Sequence, residues 1–219
     1  MSSGRRVEIG GRSLYLCTPD RPDLECFLEQ CIRGGVDIVQ LREKHLEARP
    51  LLERARVAIH ICRDHGVPFI FNDRPDLALE CDADGVHVGQ DDAPVSLARR
   101  ILGPERIVGL STHAPAELEV ALREDVDYVS AGPVTPTPTK PGRPGTGSGY
   151  IVHASGAVES SDLSSLPLFV TGGVTPESIL ELRRAGAQRF VVVRYLTESD
   201  DPESAARRLC AAMEADLGV

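Results

Sequence analysis

The sequence predicts an α/β fold, a single (β/α)₈ barrel, and three observations favour it. Eight short apolar runs recur along the chain. Amphipathic stretches with helical spacing separate them. Most of the polar groups suited to chemistry follow the apolar runs directly, and in such barrels the active site lies at the C-terminal ends of the strands.

The apolar runs have the character of buried parallel strands. Each is short, contains β-branched or aromatic residues, and is bounded by Gly, Pro, Asp or Ser. In chain order, the predicted strands are 14–16, 36–41, 68–71, 85–88, 107–110, 128–131, 168–170 and 190–193.

Six of the intervening stretches predict helices from their apolar periodicity, at 24–33, 51–63, 95–102, 116–122, 178–185 and 203–213. Thr175-Pro176 supplies a capping hydroxyl followed by proline at the first helical position. Glycines stand where helices should stop, at Gly34, Gly66, Gly103 and Gly186. Residues 150–166 are rich in Ser, Gly and Ala, so we expect only a poor or shortened helix there.

Eight β/α units in 219 residues fit one barrel domain at 13–219, preceded by a flexible N-terminal lead at 1–12. The alternative is a doubly wound open sheet. It is disfavoured because no predicted strand leads into the G-x-G-x-x-G pattern of the dinucleotide-binding type.

Composition indicates a water-soluble globular protein. The chain is 42% hydrophobic and 26% charged, and its net charge of −9 argues against nucleic acid and anionic membranes. No apolar stretch approaches the roughly 20 residues of a membrane span. Arg5 and Arg6 precede no apolar segment, so no signal peptide is expected. The six cysteines form no C-x-x-C pair, which favours buried thiols in a reducing, cytoplasmic compartment.

A concentrated polar segment follows the second predicted strand. Alternation along an extended chain would place Gln40, Arg42 and Lys44 on one side. All three can bind phosphate oxygens, and a cationic spot in an acidic chain is notable. The segment therefore predicts an anion-binding site.

Two aspartates follow neighbouring strands and favour a metal. Asp73 and Asp92 supply the hard oxygen ligands that Mg²⁺ takes together with substrate phosphate and water, and Asp91 could replace Asp92. Alternatively, each aspartate caps the helix after it. Their coincidence with cationic groups favours Mg²⁺.

Two further segments predict substrate contacts. Residues 135–140 hold three hydroxyls and Lys140 in a proline-stiffened loop, which could equally be a solvated lid. Gly172-Gly173 and Val193-Arg194 end the last two strands, where barrels often bind phosphate, although most Gly-Gly pairs are only turns. His87 is expected to be a satisfied core or rim histidine, whereas His113 is a candidate acid or base.

Six of these motifs, taken together, resemble the thiamine-phosphate synthase family: Q-L-R-E-K at 40–44, F-N-D at 71–73, H-V-G-Q-D-D at 87–92, G-L-S-T-H at 109–113, G-P-V-T-P-T-P-T-K at 132–140 and T-G-G-V at 171–174. They occur in order within residues 13–215. The resemblance implies a barrel transferase that uses Mg²⁺. Such an enzyme joins hydroxymethylpyrimidine diphosphate to hydroxyethylthiazole phosphate and releases diphosphate.

The resemblance also implies a role for each matched residue. It places the pyrimidine diphosphate against Gln40, Arg42, Lys44, Asn72, Ser111 and Lys140, of which Arg42, Lys44, Ser111 and Lys140 would be catalytic. It places Mg²⁺ on Asp73 and Asp92. It places the thiazole phosphate near Thr137, Thr139, Gly173, Val193 and Arg194. Arg194 departs from the family, which commonly has a small hydroxyl residue at that position.

Two other functions use the same barrel. A thiazole tautomerase would need the thiazole phosphate pocket and an acid or base such as His113, but no cationic diphosphate site with two metal carboxylates. A non-catalytic binding barrel would not need chemistry at every strand end. The oligomeric state is left open, and a homo-oligomer is compatible with the sequence.

Overall fold

The computed structural model describes residues 9–137, 144–162 and 165–217, and its core is a closed sheet of eight parallel strands. The strands pair in chain order, and β8 closes on β1. The strands are β1 Leu14–Thr18, β2 Ile38–Leu41, β3 Phe69–Asn72, β4 Gly85–Val88, β5 Ile107–Thr112, β6 Tyr128–Ala131, β7 Leu168–Thr171 and β8 Arg189–Val192. The predicted (β/α)₈ barrel is confirmed, and the doubly wound alternative is excluded because the sheet has no open edge.

Helices follow the strands around the barrel. They are α1 Leu24–Arg33, α2 Ala48–Asp64, α3 Pro75–Glu80, α4 Val95–Leu102, α5 Pro115–Ala121, α6 Gly147–Glu159, α7 Pro176–Arg184, α8 Arg194–Thr197 and α9 Pro202–Glu214. The six predicted helices are all present. Helices α3 and α8 were not predicted, because six and four residues are too few to show a helical period.

The expectation of a poor helix at 150–166 is wrong. Helix α6 has 13 residues despite glycines at 147, 149 and 156. Its buried positions, Tyr150, Ile151, Ala154, Ser155 and Val158, recur at helical spacing and face the barrel. Burial of this face outweighs the glycine penalty, which is roughly 1 kcal/mol per residue.

Strand register sorts the side chains into the barrel interior and the helix-facing layer. A small interior cluster, Ile9, Tyr15, Ile38, Ile70, Ile107, Tyr128 and Phe169, fills the barrel. Neighbouring strands pair these positions with one another, for example Tyr15 with Ile38 and Gly109 with Tyr128. Further along the strands the same face carries polar side chains: Gln40 and Asn72 lie two residues after Ile38 and Ile70, and Ser111 lies two residues after Gly109.

Three aspartates tie alternate strands together at the N-terminal end of the barrel. Asp37, Asp84 and Asp127 each immediately precede a strand. Each carboxylate accepts at least one hydrogen bond from a backbone N–H at the start of the neighbouring strand; the donors are Ser13 and Leu14, Phe69, and Val108, respectively. The Nη2 of Arg99 also donates to Asp127 at 2.8 Å, and both side chains are largely buried. These carboxylates satisfy amides that begin strands and have no ladder partner. They are structural groups, far along the strands from the polar end.

The end of the predicted N-terminal lead packs against the barrel. Ile9 is 6% exposed and belongs to the interior cluster. Arg189 donates to the Gly10 carbonyl at 2.8 Å, and Arg12 donates to the Gly66 carbonyl at 3.1 Å. Residues 9–12 therefore contribute to closing the bottom of the barrel, whereas residues 1–8 lie outside the described part of the chain.

Most of the cysteines match the expectation of buried thiols. No disulfide joins the six cysteines, all of which are described, and four of them are buried. Burial raises the pKa of the Cys31 thiol to about 12, which keeps it unreactive at neutral pH. Cys26 is exposed, contrary to the expectation of buried thiols. Within residues 9–137, 144–162 and 165–217, no helix is long and apolar enough to cross a membrane.

Gly109 provides a test of the interior packing. A Cβ at this position would collide with the ring of Tyr128, so we expect Gly109→Ala to lower the free energy of unfolding by roughly 1–3 kcal/mol, as overpacked cores do. The control is Gly156→Ala in α6, where a Cβ meets nothing within 4 Å. That change should be neutral or stabilising by up to roughly 1 kcal/mol. Urea unfolding followed by circular dichroism measures both, and equal stability of the two variants would contradict the packing.

Candidate active site

A cavity of about 610 Å³ lies at the C-terminal ends of the strands. Every predicted site residue within the described part of the chain lines it. These residues are Gln40, Arg42, Lys44, Asn72, Asp73, Asp92, Ser111, Thr137, Gly173, Val193 and Arg194. The cavity volume is typical of a small-molecule site. Thr139 and Lys140 lie outside the described residues.

The polar side chains of the segment that ends and follows β2 are placed in the cavity in two ways. Gln40 is an inward position of β2, and Arg42 continues the strand pairing, with its N–H donating to the Thr18 carbonyl at 2.8 Å. Lys44 lies beyond the strand, and its Nζ meets Asp73 Oδ2 at 2.9 Å. Strand alternation thus explains Gln40 and Arg42, whereas Lys44 is placed by its ion pair. Because the Lys44 side chain is 48% exposed, this pair adds little stability.

Arg74 shows that proximity in sequence does not suffice. It follows Asp73 directly, but its guanidinium forms a fork with Asp76 at 2.8 and 2.6 Å on the exposed surface. Arg74 does not line the cavity.

The two aspartates lie together and do not cap helices. The N-cap residues of α3 and α4 are Arg74 and Pro94, and at neither helix does a side chain accept a capping hydrogen bond. The backbone φ of Asp73 is 62°, a left-handed conformation that is uncommon for residues other than glycine. Such backbone strain is frequent at functional sites.

Electrostatics at the aspartate pair favour a bound cation. Asp92 Oδ2 accepts from the Gly89 amide at 2.8 Å. Burial, followed by a hydrogen bond with the Asp73 carboxyl group, raises the pKa of Asp92, and Lys44 offsets part of the rise. A divalent cation between the carboxylates would relieve this repulsion. Asp91 also lines the cavity, but Asp92 makes the contact with Asp73.

The donor set fits Mg²⁺ held with help from a substrate. In the described residues, no group of three or more His, Cys, Asp or Glu side chains could hold a metal. Two carboxylates leave coordination positions for phosphate oxygens and water, as Mg²⁺ usually has.

Three polar side chains form the floor of the cavity. Gln40, Asn72 and Ser111 are 4%, 8% and 3% exposed. Among described residues, nothing accepts a hydrogen bond from the buried Gln40 Nε2. A buried donor without a partner costs free energy, so an acceptor on a ligand is expected at this point.

A second region of the cavity is built from β7, β8 and the segments after them. Gly172 and Gly173 have φ values of 100° and 75° and would clash with Pro133 and Thr135 if they carried a Cβ. The glycines are therefore required by packing against the loop after β6 as well as by backbone conformation. Arg194 begins α8, is exposed, and makes no side-chain hydrogen bond or ion pair with any described residue.

Both predicted histidines line the cavity. His87 Nδ1 lies 2.9 Å from the Tyr128 hydroxyl, and His87 Nε2 lies 2.8 Å from Ser111 Oγ. This confirms His87 as a satisfied rim histidine. His113 Nδ1 lies 2.8 Å from Glu117 Oε2, in the first turn of α5.

The sequence analysis missed several lining residues. Strand alternation could have found Cys17, Ser130 and Thr171, each of which is an inward position near the end of a strand. Tyr195 and Glu198 reach the cavity from α8 and its C-cap, and no sequence signal predicted that helix.

Comparison with known proteins agrees with this geometry. A family model described as thiamine monophosphate synthase matches residues 14–196. The thiamine-phosphate synthase of Mycobacterium sp. (strain KMS) is 44% identical over 92% of each chain. That of Thermus thermophilus is 46% identical over 90% of this chain and 94% of its own.

A solved structure supports the same relationship. The thiamine phosphate pyrophosphorylase from Pyrococcus furiosus superposes with a TM-score of 0.81 at 28% identity, covering 92% of this chain and 95% of its own. The chain therefore belongs to the thiamine monophosphate synthase family.

Proposed function

We propose that this chain is a thiamine-phosphate synthase, a transferase that condenses hydroxymethylpyrimidine diphosphate with hydroxyethylthiazole phosphate and releases diphosphate. One observation carries the proposal. Two carboxylates in contact, Asp73 and Asp92, share one cavity with Arg42 and Lys44. This arrangement suits a metal-bound diphosphate better than a single phosphate.

The diphosphate end would be held by charge. Asp73 and Asp92 would hold Mg²⁺, which would supply positive charge to the oxygens of the diphosphate leaving group. Arg42 and Lys44 face the same space and would stabilise the charge that grows on the leaving group. Lys140 is expected to add a third cation from the loop after β6.

The pyrimidine end would be oriented by the buried floor. The orphan Gln40 Nε2 would donate to an acceptor on the pyrimidine substrate. Asn72 and Ser111 offer further polar groups at fixed positions, since both are buried and lie near the C-terminal ends of their strands. Rigid placement of this kind removes much of the entropy cost of bringing two substrates together.

The thiazole phosphate would lie at the ends of β7 and β8. Gly173, Val193 and Arg194 line this region, and Thr137 lines the cavity from the loop after β6. Thr139 is expected to add a hydroxyl. The exposed guanidinium of Arg194 has the geometry to contact a phosphate with two hydrogen bonds.

The reaction needs no enzyme nucleophile. Breaking the carbon–oxygen bond leaves its electron pair on diphosphate and a cation on the pyrimidine methylene, which the amino group of the ring stabilises. The lone pair of the thiazole nitrogen then forms the new carbon–nitrogen bond. The side chains bind, orient and neutralise charge, which is what the cavity offers.

The Thr171–Gly173 region and the His113–Glu117 pair would also suit a thiazole tautomerase, because Glu117 could orient His113 as an acid or base. The assay that separates the functions measures diphosphate release from both substrates with and without Mg²⁺. A synthase releases one diphosphate per thiamine phosphate. Thiazole isomerisation without diphosphate release would overturn the proposal, and binding without either reaction would indicate a non-catalytic barrel.

We also propose that the enzyme works in the cytoplasm on small-molecule substrates. The reduced cysteines and the acidic charge of the chain support this location. A homo-oligomer remains compatible with the sequence.

The metal assignment predicts that Asp73→Asn and Asp92→Asn each raise the Mg²⁺ concentration needed for half-maximal activity by tenfold or more. Each change removes a charged oxygen ligand but keeps the size of the side chain. Asp76→Asn is the matched control, because Asp76 pairs with Arg74 outside the cavity. Steady-state rates over a Mg²⁺ titration measure the effect. Unchanged Mg²⁺ dependence in both site variants would show that the metal binds elsewhere.

Arg194, which stands where the family commonly has a small hydroxyl residue, predicts an effect on thiazole phosphate binding alone. Arg194→Ser should raise the KM for thiazole phosphate by about tenfold or more, since a hydrogen bond to a charged group contributes roughly 1.5–3 kcal/mol. The KM for the pyrimidine diphosphate should change little. A thiazole alcohol without phosphate is the control substrate, and the variant should use it as well as the parent does. If thiazole phosphate binds equally well to both proteins, Arg194 is not a phosphate ligand.

A further inference from the structure

A continuous chain of hydrogen bonds runs through the barrel interior to the floor of the cavity. The Tyr15 and Tyr128 hydroxyls lie 2.9 Å apart, and the Tyr128 hydroxyl lies 2.9 Å from His87 Nδ1. His87 Nε2 then lies 2.8 Å from Ser111 Oγ. The hydroxyl of Ser130 donates to Ser111 Oγ at 3.4 Å. Two buried tyrosines, of which Tyr15 also lines the cavity, are thereby connected to a hydroxyl at its floor.

The buried end of this chain of hydrogen bonds determines which group is the donor in each bond. Tyr15 is 1% exposed, and Tyr128 is its hydrogen-bond partner among the described residues. If Tyr128 donated to Tyr15, the Tyr15 proton would be buried without an acceptor, which is unfavourable. Tyr15 therefore donates to Tyr128, and Tyr128 donates to the next group.

This direction determines the tautomer of His87. Because Nδ1 accepts from Tyr128, the neutral imidazole holds its proton on Nε2 and donates it to Ser111. Ser111 Oγ then accepts from His87, and the Ser130 hydroxyl also donates to it. These two bonds fix the position of the Ser111 hydroxyl at the floor of the cavity.

We propose that Tyr15 and Tyr128 are positioning residues that hold His87 as the Nε2–H tautomer, so that His87 donates to Ser111 Oγ and fixes this hydroxyl on the cavity floor. The inference rests on the proposed function and deepens it by assigning His87 and the two tyrosines to the orientation of Ser111, a substrate-binding residue. A polar group that is oriented before the reaction needs no reorganisation when charge develops on the substrate.

The surrounding packing holds the chain in place. The imidazole of His87 stacks on the Tyr128 ring with centroids 5.4 Å apart, and Phe169 contacts the same ring edge-on at 5.4 Å. The Tyr128 ring occupies the space next to Gly109 that a Cβ atom at that position would fill. Burial raises the pKa of both phenols, which therefore stay protonated and able to donate at neutral pH.

The tautomer can be observed directly by NMR of the full chain labelled with ¹⁵N-histidine. Long-range proton–nitrogen correlations distinguish Nε2–H from Nδ1–H, and the His87 signals are identified by their loss in His87→Gln. We expect Nε2–H in the parent protein and loss of that single form in Tyr128→Phe. Tyr150→Phe is the matched control, because Tyr150 is a buried phenol that donates elsewhere, to Thr112. An Nδ1–H form in the parent, or an unchanged form in Tyr128→Phe, would overturn the inference.

Kinetics test whether donation from His87 Nε2–H to Ser111 matters for the reaction. Glutamine can accept at its oxygen and donate at its nitrogen, as the proposed tautomer does, whereas methionine fills the space and does neither. We expect His87→Met to lower kcat/KM for the pyrimidine substrate by roughly tenfold to a hundredfold, and His87→Gln to recover most of the loss. Equal losses in the two variants would contradict the proposal. The NMR measurement needs no substrate, so failure of the proposed function, seen as no diphosphate release by the parent, is distinct from failure of this inference.

Discussion

The architecture of this protein depends on one constraint, the two-residue alternation of side chains in a closed parallel sheet. Register pairs inward positions with inward positions around the barrel, as with Cys17 beside Gln40 and Ser111 beside Ser130. Apolar and aromatic side chains fill the lower interior, and polar side chains occupy the last inward positions. Because all strands run in one direction, those polar ends meet at one rim. A shift of one residue in a strand would turn its polar group outward.

The rim of the cavity brings cationic side chains next to carboxylates in a chain that is acidic as a whole. The chain has a net charge of −9, yet Arg42, Lys44 and Arg194 line one cavity. The acidic members of the cavity are also specific. Asp73 is paired with Lys44, and Asp92 has a raised pKa because it is buried beside Asp73. We propose that a cavity arranged in this way binds a metal-bound anion more favourably than a free anion or a free metal.

Strand-level patterns predicted the barrel and most of the cavity from sequence. Alternation led to Gln40 and Arg42, the ends of two apolar runs led to Asp73 and Asp92, and the family resemblance added Asn72 and Ser111. The expectation failed where tertiary contacts decide the structure. Helix α6 forms on a glycine-rich segment because its apolar face is buried. The link from Tyr15 to Ser111 joins four strands, and its members are separated by up to 113 residues. No local pattern reveals a contact of that range.

We propose that Asp73 and Asp92 form a metal–diphosphate site together with Arg42 and Lys44. Isothermal titration calorimetry of inorganic diphosphate into the protein, with and without Mg²⁺, tests this most directly, since it requires no turnover. We expect Mg²⁺ to tighten diphosphate binding by at least about tenfold, which is roughly 1.4 kcal/mol. Equal affinity for diphosphate in the presence and absence of Mg²⁺ would contradict the account.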